Sequence, residues 1–245
     1  MQRVLLLLFL SVPAFLSYPP FSLAADDIVF LETFESYLPL AFPTPWQIRG
    51  DSAAARLVDR VLEEGGNRFL HAATDQYAIQ LGLAHGFSPA EFPVLRWQWR
   101  VSQLPAGANE ARKETHDSAA GVYVLFGPWF WPRVLKYVWS TTLPVGVRVP
   151  NPLYGRGRIV VLESGPLHLE QWRQETVHVV EDYQALFGQL PGPALGIGLA
   201  GSASFTRNMA EADYDNFLLL TEKALRAEQA TSSVREPGPV LRNEQ

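Results

Sequence analysis

Apolar and polar positions alternate along many short runs of this chain. The clearest are "IVFLETF", "YAIQLGL", "LRWQWRV", "AAGVYVLF", "LKYVWST", "RIVVLES", "ETVHVV", "GIGLAG" and "DYDNFLLL". Most are short, rich in Val, Ile, Tyr, Trp or Phe, and bounded by Gly, Pro, Asn or Asp, the marks of β-strands. Many short strands separated by turn signals predict an all-β sandwich or barrel rather than a βαβ fold. Residues 55–72, "ARLVDRVLEEGGNRFLHA", read as a hairpin turning at Gly65-Gly66. Leu57, Val58, Val61 and Leu62 also form a helical stripe, and Asp59 sits awkwardly among inward strand positions. "EDYQALFG" predicts one short helix, with Gly188 at its C-terminal cap.

Alternation assigns faces. In "LRWQWRV", Leu95, Trp97, Trp99 and Val101 share one side of the strand, and Arg96, Gln98 and Arg100 share the other. A face of large apolar groups belongs in a core, so the tryptophans point inward. Truncating Trp99 should therefore be costly, and truncating Arg96 or Arg100 should not. The same parity turns Leu135, Tyr137 and Trp139 inward and leaves Lys136 and Ser140 outside. In "RIVVLES" either face is apolar enough to be the inner one. In "WRQETVHVV", Val177 and Val179 go in, leaving Trp172, Gln174, Thr176 and His178 together outside.

An outward Trp beside Gln, Thr and His has the composition of a sugar site. A ring stacks on the C–H face of a pyranose, and amides, imidazole and guanidinium bond its hydroxyls. If these strands lie in one sheet, Arg96, Arg100, Tyr123, Lys136, Glu163, Trp172, Gln174 and His178 form a ligand groove. The alternative is an ordinary solvated sheet face.

The ends differ in kind from the middle. Arg3, the apolar run "VLLLLFL" and the small residues Ser22 and Ala24 have the layout of a secretory signal peptide over residues 1–24. The apolar run is too short to span a bilayer, and Pro13, Pro19 and Pro20 follow it, which weighs against an uncleaved anchor. A mature chain starting at Ala25 would then be periplasmic or extracellular, with no transmembrane segment after cleavage. Residues 25–222 form one domain, and the charged, Pro- and Gly-containing stretch 223–245 reads as a disordered tail.

Composition narrows the chemistry. There is no cysteine, which excludes disulfides and thiol catalysis. Removing Arg3 with the signal takes the formal charge from −5 to −6. An acidic chain without basic runs is a poor nucleic-acid binder. No zinc, P-loop, dinucleotide or GxSxG motif is present, the five histidines are scattered, and no cofactor is required. "KETHDS" gathers Glu114, His116 and Asp117 in what reads as a solvated loop. "GPWFWPR" places Trp129, Phe130 and Trp131 between prolines, so at least one should be exposed, as a stacking platform or a membrane or subunit contact. "ETFES" and "ADYDNF" carry carboxylates on the terminal strands. If those strands pair, Glu35 and Asp215 are candidate ligands for a structural calcium. Solvated acidic edges that discourage edge-to-edge pairing are the alternative.

Several stretches in order, "LRWQWRV", "LPAGANEARKETHDSAAGVYVLF", "LKYVWS", "VVLES", "VEDYQALFG" and "GIGLAGSAS", together resemble an uncharacterised bacterial secreted family, domain of unknown function 3047. The resemblance runs over roughly residues 28–220. Family members often carry Arg immediately before "VYV", where this chain has Gly121. The resemblance implies an antiparallel β-sandwich of jelly-roll type, similar to concanavalin-like lectins and carbohydrate-binding modules, with one short helix. It carries over no activity and no site residue. The expectation is an exported non-catalytic binder of a glycan or other cell-envelope polymer. The alternatives are a carbohydrate-active hydrolase or lyase using groove carboxylates, Glu163 among them, and an envelope protein docking through the aromatic loop.

Overall fold

A computed structural model describes residues 27–49 and 59–235, with side chains described as far as residue 231. The signal-peptide reading and residues 55–58 of the hairpin segment lie outside this range. In the first half of the chain the strands are β1 (Ile28–Glu32), β2 (Trp46–Arg49), β3 (Arg60–Glu64), β4 (Asn67–Asp75), β5 (Ala78–Leu83) and β6 (Val94–Gln103). There follow β7 (Ser118–Phe126), β8 (Arg133–Ser140), β9 (Arg148–Pro150) and β10 (Gly157–Ser164). The chain continues with β11 (Arg173–His178), helix α1 (Val179–Phe187), β12 (Ala194–Ser202), β13 (Met209–Leu220) and helix α2 (Glu222–Arg235).

Two sheets face each other as a jelly-roll sandwich. One runs β11-β6-β13-β4-β3, with β1 also paired to β13; the other runs β2-β5-β12-β7-β8-β10-β9. First and last strands do pair, Ile28 opposite Leu220, antiparallel. Among the described residues every strand pairing is antiparallel except β8 with β10.

The tryptophans of β6 lie between the sheets. Leu95, Trp97, Trp99 and Val101 are fully buried. Trp97 meets Trp99 edge-on at 5.4 Å between ring centroids, and each reaches across to β8, to Tyr137 at 5.7 Å and Trp139 at 6.0 Å. Arg96, Gln98 and Arg100 face out. Strand β13 keeps its inner face filled by a bulge. Asn216 takes a left-handed backbone (φ 53°), so the inward positions pass from Ala212 and Tyr214 to Phe217 and Leu219.

Residues 60–75 form the hairpin. Gly65 and Gly66 both have positive φ (62° and 87°), and Glu64 pairs with Asn67 across the two-residue turn. A two-residue turn with positive φ at both positions favours Gly, Asn or Asp there, and a glycine pair adopts it without strain. Both faces of β10 are buried: Val160 joins the main core, and Ile159 and Val161 pack outside the sheet on Val138, Leu143, Val147 and Val149. The segment between β8 and β10 supplies that cover, which explains why the alternation there is ambiguous.

Helix α1 is the predicted one, ended by Gly188 (φ 72°), whose N–H donates to the Gln184 carbonyl. Helix α2 corrects the reading of residues 223–235 as a disordered tail. Ala224 packs fully buried against Val94 and Leu220, with Leu225 alongside. Lys223 ion-pairs with Asp27 at 2.6 Å, and Thr221 caps the helix by accepting from the Ala224 N–H. The helical stripe is too narrow to read from hydrophobicity, and its anchors come from distant strands.

Candidate functional site

The predicted groove residues are divided between two sheets. Arg96, Arg100, Trp172, Gln174 and His178 lie on or beside the outer face of the β6–β11 sheet, whereas Tyr123, Lys136 and Glu163 belong to β7, β8 and β10 of the other. Parity assigns faces within a strand and says nothing about which strands become neighbours.

On the β6–β11 face most of these side chains are already engaged. Arg96 donates to Thr176 Oγ1 at 3.0 Å and forks onto the Glu228 carboxylate of α2. His178 caps α1, Nδ1 accepting from the Glu181 N–H at 3.2 Å, while Nε2 meets the Glu222 carboxylate. The Arg100 guanidinium lies over the Trp172 ring at 4.9 Å and the Phe69 ring at 5.3 Å, and it donates to Asp213 at 2.8 Å and Glu64 at 2.9 Å. His71 Nδ1 meets the other Asp213 oxygen at 2.8 Å. This face clamps α2 and braces the sheet. Gln174 remains exposed there. Glu163 is buried and held by His168 Nδ1 at 2.9 Å and Arg173 Nε at 2.7 Å.

The calcium candidates are close enough that burial and the charges of Glu35 and Glu32 together push the Asp215 carboxyl up to about 6. Asp215 accepts from Asn67 Nδ2 at 2.9 Å and from the Asn216 N–H at 2.7 Å, and Glu35 accepts from the Arg68 N–H at 3.0 Å. Among the described residues no three His, Cys, Asp or Glu side chains are grouped so as to hold a metal ion.

A groove of about 700 Å³ crosses the outer face of the seven-stranded sheet. Its floor is built from glycine and tyrosine. The Tyr123 ring lies directly over Gly198, where a Cβ would come within 2.1 Å of the ring. The hydroxyl donates to the Leu81 carbonyl at 3.3 Å, and burial pushes the phenol up to about 12. The ring is thus neutral, and it is largely buried, with 9% of the residue exposed. Gln47 and Arg49 of β2 and Gln80 of β5 offer amide and guanidinium groups along one side. At the rim stands the aromatic loop: Trp129, Phe130 and Trp131 are 80%, 70% and 59% exposed, and the first two line the groove.

Lys136 lines the same groove, its stem crossing Gly121, where a Cβ would approach Cε to 2.6 Å. Its ammonium donates to Ser118 Oγ at 3.0 Å. Burial pulls its pKa down, against the opposing pull of Glu110 and Asp117. Behind it, the second half of "KETHDS" is interior rather than solvated: His116, Asp117 and Ser118 are buried, whereas Lys113 and Glu114 are exposed. Asp117 is buried and accepts from the Ser204, Phe205 and Thr206 N–H groups and from the Ser202 and Thr206 hydroxyls. Glu110 accepts from Ser140 Oγ at 2.6 Å, and burial pushes its carboxyl up. Burial, then the Lys136 charge, pulls the His116 imidazole down, favouring its neutral form. Sequence reasoning missed this groove because its floor is made of glycines, and its sole signal was the outward parity of Tyr123 and Lys136.

A family model described as "Protein of unknown function (DUF3047)" matches residues 55–218. No curated protein sequence matches the chain. Among solved structures, TmCBM61 in complex with beta-1,4-galactotriose overlaps with a TM-score of 0.39 at 10% identity, over 78% of this chain and 95% of that one. The carbohydrate recognition domain of Emp47p gives 0.38 at 10% identity, over 81% and 96%. TmCBM27, a carbohydrate-binding module that recognises mannan, gives 0.33 at 12%, over 80% and 98%. At such identity and overlap these likenesses transfer no ligand to this chain.

Proposed function

Since the chain belongs to the DUF3047 family, whose function is unknown, we propose from its own groove that it is an exported, non-catalytic glycan-binding protein. The observation that carries this reading is an open groove floored by Tyr123 over Gly198 and rimmed by the exposed Trp129 and Phe130. A pyranose presents a C–H face to such a ring and hydroxyls to amide and guanidinium groups, here Gln47, Gln80 and Arg49. A volume of about 700 Å³ is in the range of specific small-ligand sites. The non-catalytic reading is supported by the carboxylates behind the groove. Glu110 and Asp117 are buried, and neither lines it.

The test is a glycan array on the mature protein, followed by calorimetry and a reducing-end assay on each hit. Tyr123→Ala should abolish binding with the fold intact, whereas Trp172→Ala, on the opposite sheet, should leave affinity unchanged. Tyr123→Ala protein that binds every hit as the parent does would refute the groove. The exposed Trp129, Phe130 and Trp131 favour a second reading, docking on an envelope partner through this loop. Trp131→Ser, at a loop position outside the groove lining, would then weaken association with an envelope fraction without touching glycan affinity.

A further inference from the structure

We propose that the ligand of this groove is an acidic glycan, and that Lys136 with Arg49 reads its anionic group. The inference rests on the groove being the binding surface, and it names the class of ligand. The chain is acidic overall, with 25 Asp and Glu against 20 Lys and Arg. The groove inverts that balance: among the described residues it is lined by two cationic side chains, Arg49 and Lys136, and by no Asp or Glu.

Lys136 is the more telling of the two. Among the described residues it takes part in no ion pair, and its ammonium bonds a hydroxyl, Ser118 Oγ at 3.0 Å. Burial disfavours the charged ammonium, and the charges of Glu110 and Asp117 offset part of that cost without an ion-pair contact. Asp117 is held by five donors around residues 202–206, and Glu110 gives one oxygen to Ser140 while its Oε1 has no hydrogen-bond partner. Gly121 leaves the space through which the lysine stem crosses the sheet. The partner missing from this arrangement is an anion delivered by the ligand. Arg49, exposed on β2, adds a second positive charge on the same groove. A neutral glycan would desolvate the ammonium further without adding a counter-charge. A uronate carboxylate or a sulfate ester would complete it.

The experiment compares polygalacturonate with its carboxyl-reduced polymer, and dextran sulfate with dextran, at two salt concentrations. The uronate and sulfate arms tell the two anion sources apart. At least one acidic polymer should bind tenfold or more tighter than its neutral counterpart, and the preference should shrink at high salt. Lys136→Met keeps the stem and removes the charge, and should bring the ratio to near one. Tyr123→Ala should weaken acidic and neutral polymers together. Should Lys136→Met not fold, Arg49→Gln, at an exposed position, should lower the ratio about threefold. Gly121→Ala, which displaces the lysine, should lower it as well. Equal binding of acidic and neutral polymers by the parent, sensitive to Tyr123→Ala, would overturn the anion inference and leave the glycan groove standing. Binding of none of the four would remove both.

Discussion

Arg100→Ala is the perturbation that separates a structural outer face from a solvated one. Parity alone puts Arg100 outward and makes its loss nearly free. In the fold its side chain is only 17% exposed and ion-paired to Asp213, itself 10% exposed. Removing one member of a largely buried pair costs about 3–5 kcal/mol when the other is left bare. Here His71 remains on Asp213 and offsets part of that. The bond to Glu64 adds little, because that carboxylate is 63% exposed. Stacking on Trp172 and Phe69 contributes about 0.5–1 kcal/mol per ring. The expected destabilisation is about 2–4 kcal/mol. Arg100→Lys, which keeps the charge but not the planar fork, should recover part of it. Urea unfolding followed by tryptophan fluorescence measures both. A change within about 0.5 kcal/mol for Arg100→Ala would show the face to be merely solvated and the reasoning mistaken.

Three further outcomes are expected. Burial pushes the Asp59 carboxyl from 3.8 to about 7. Between those values the folded chain holds a proton that the unfolded chain has released, so stability should fall as pH rises through this window. Asp59→Asn should flatten that fall, by up to about 4 kcal/mol, and melts at pH 4 and pH 8 with identical differences from the parent would count against it. If Glu35 and Asp215 bind calcium, millimolar calcium should raise the melting temperature more at pH 7.5 than at pH 5, since Asp215 titrates near 6; Asp215→Asn should remove the rise, and no shift in the parent would end that reading. Finally, protein recovered from periplasm or medium should begin at Ala25 by N-terminal sequencing, whereas an intact Met1 on cytoplasmic material would contradict export.

Period-two patterning in "LRWQWRV" was enough to bury Trp97 and Trp99 and turn out the arginines, because side-chain direction in a strand is a local property. The same local rules placed the Gly65-Gly66 turn and the Gly188 cap, both positive-φ positions that glycine fills without strain. The pairing of β1 with β13 entered the sequence reading only as a condition, and the fold meets it. Neighbourhood was another matter. Trp172 and Tyr123 share an outward parity yet end on opposite sheets, since strand order is set by contacts between residues far apart in sequence. Helix α2 was hidden for a related reason. Its stability comes from Arg96, His178 and Asp27, which its own pattern of residues cannot record. The groove is the extreme case: Gly121 and Gly198 look like weak strand residues until Lys136 and Tyr123 are laid across them. Direction of each side chain is written in alternation along one strand, but the company it keeps is decided only when distant strands close on one another.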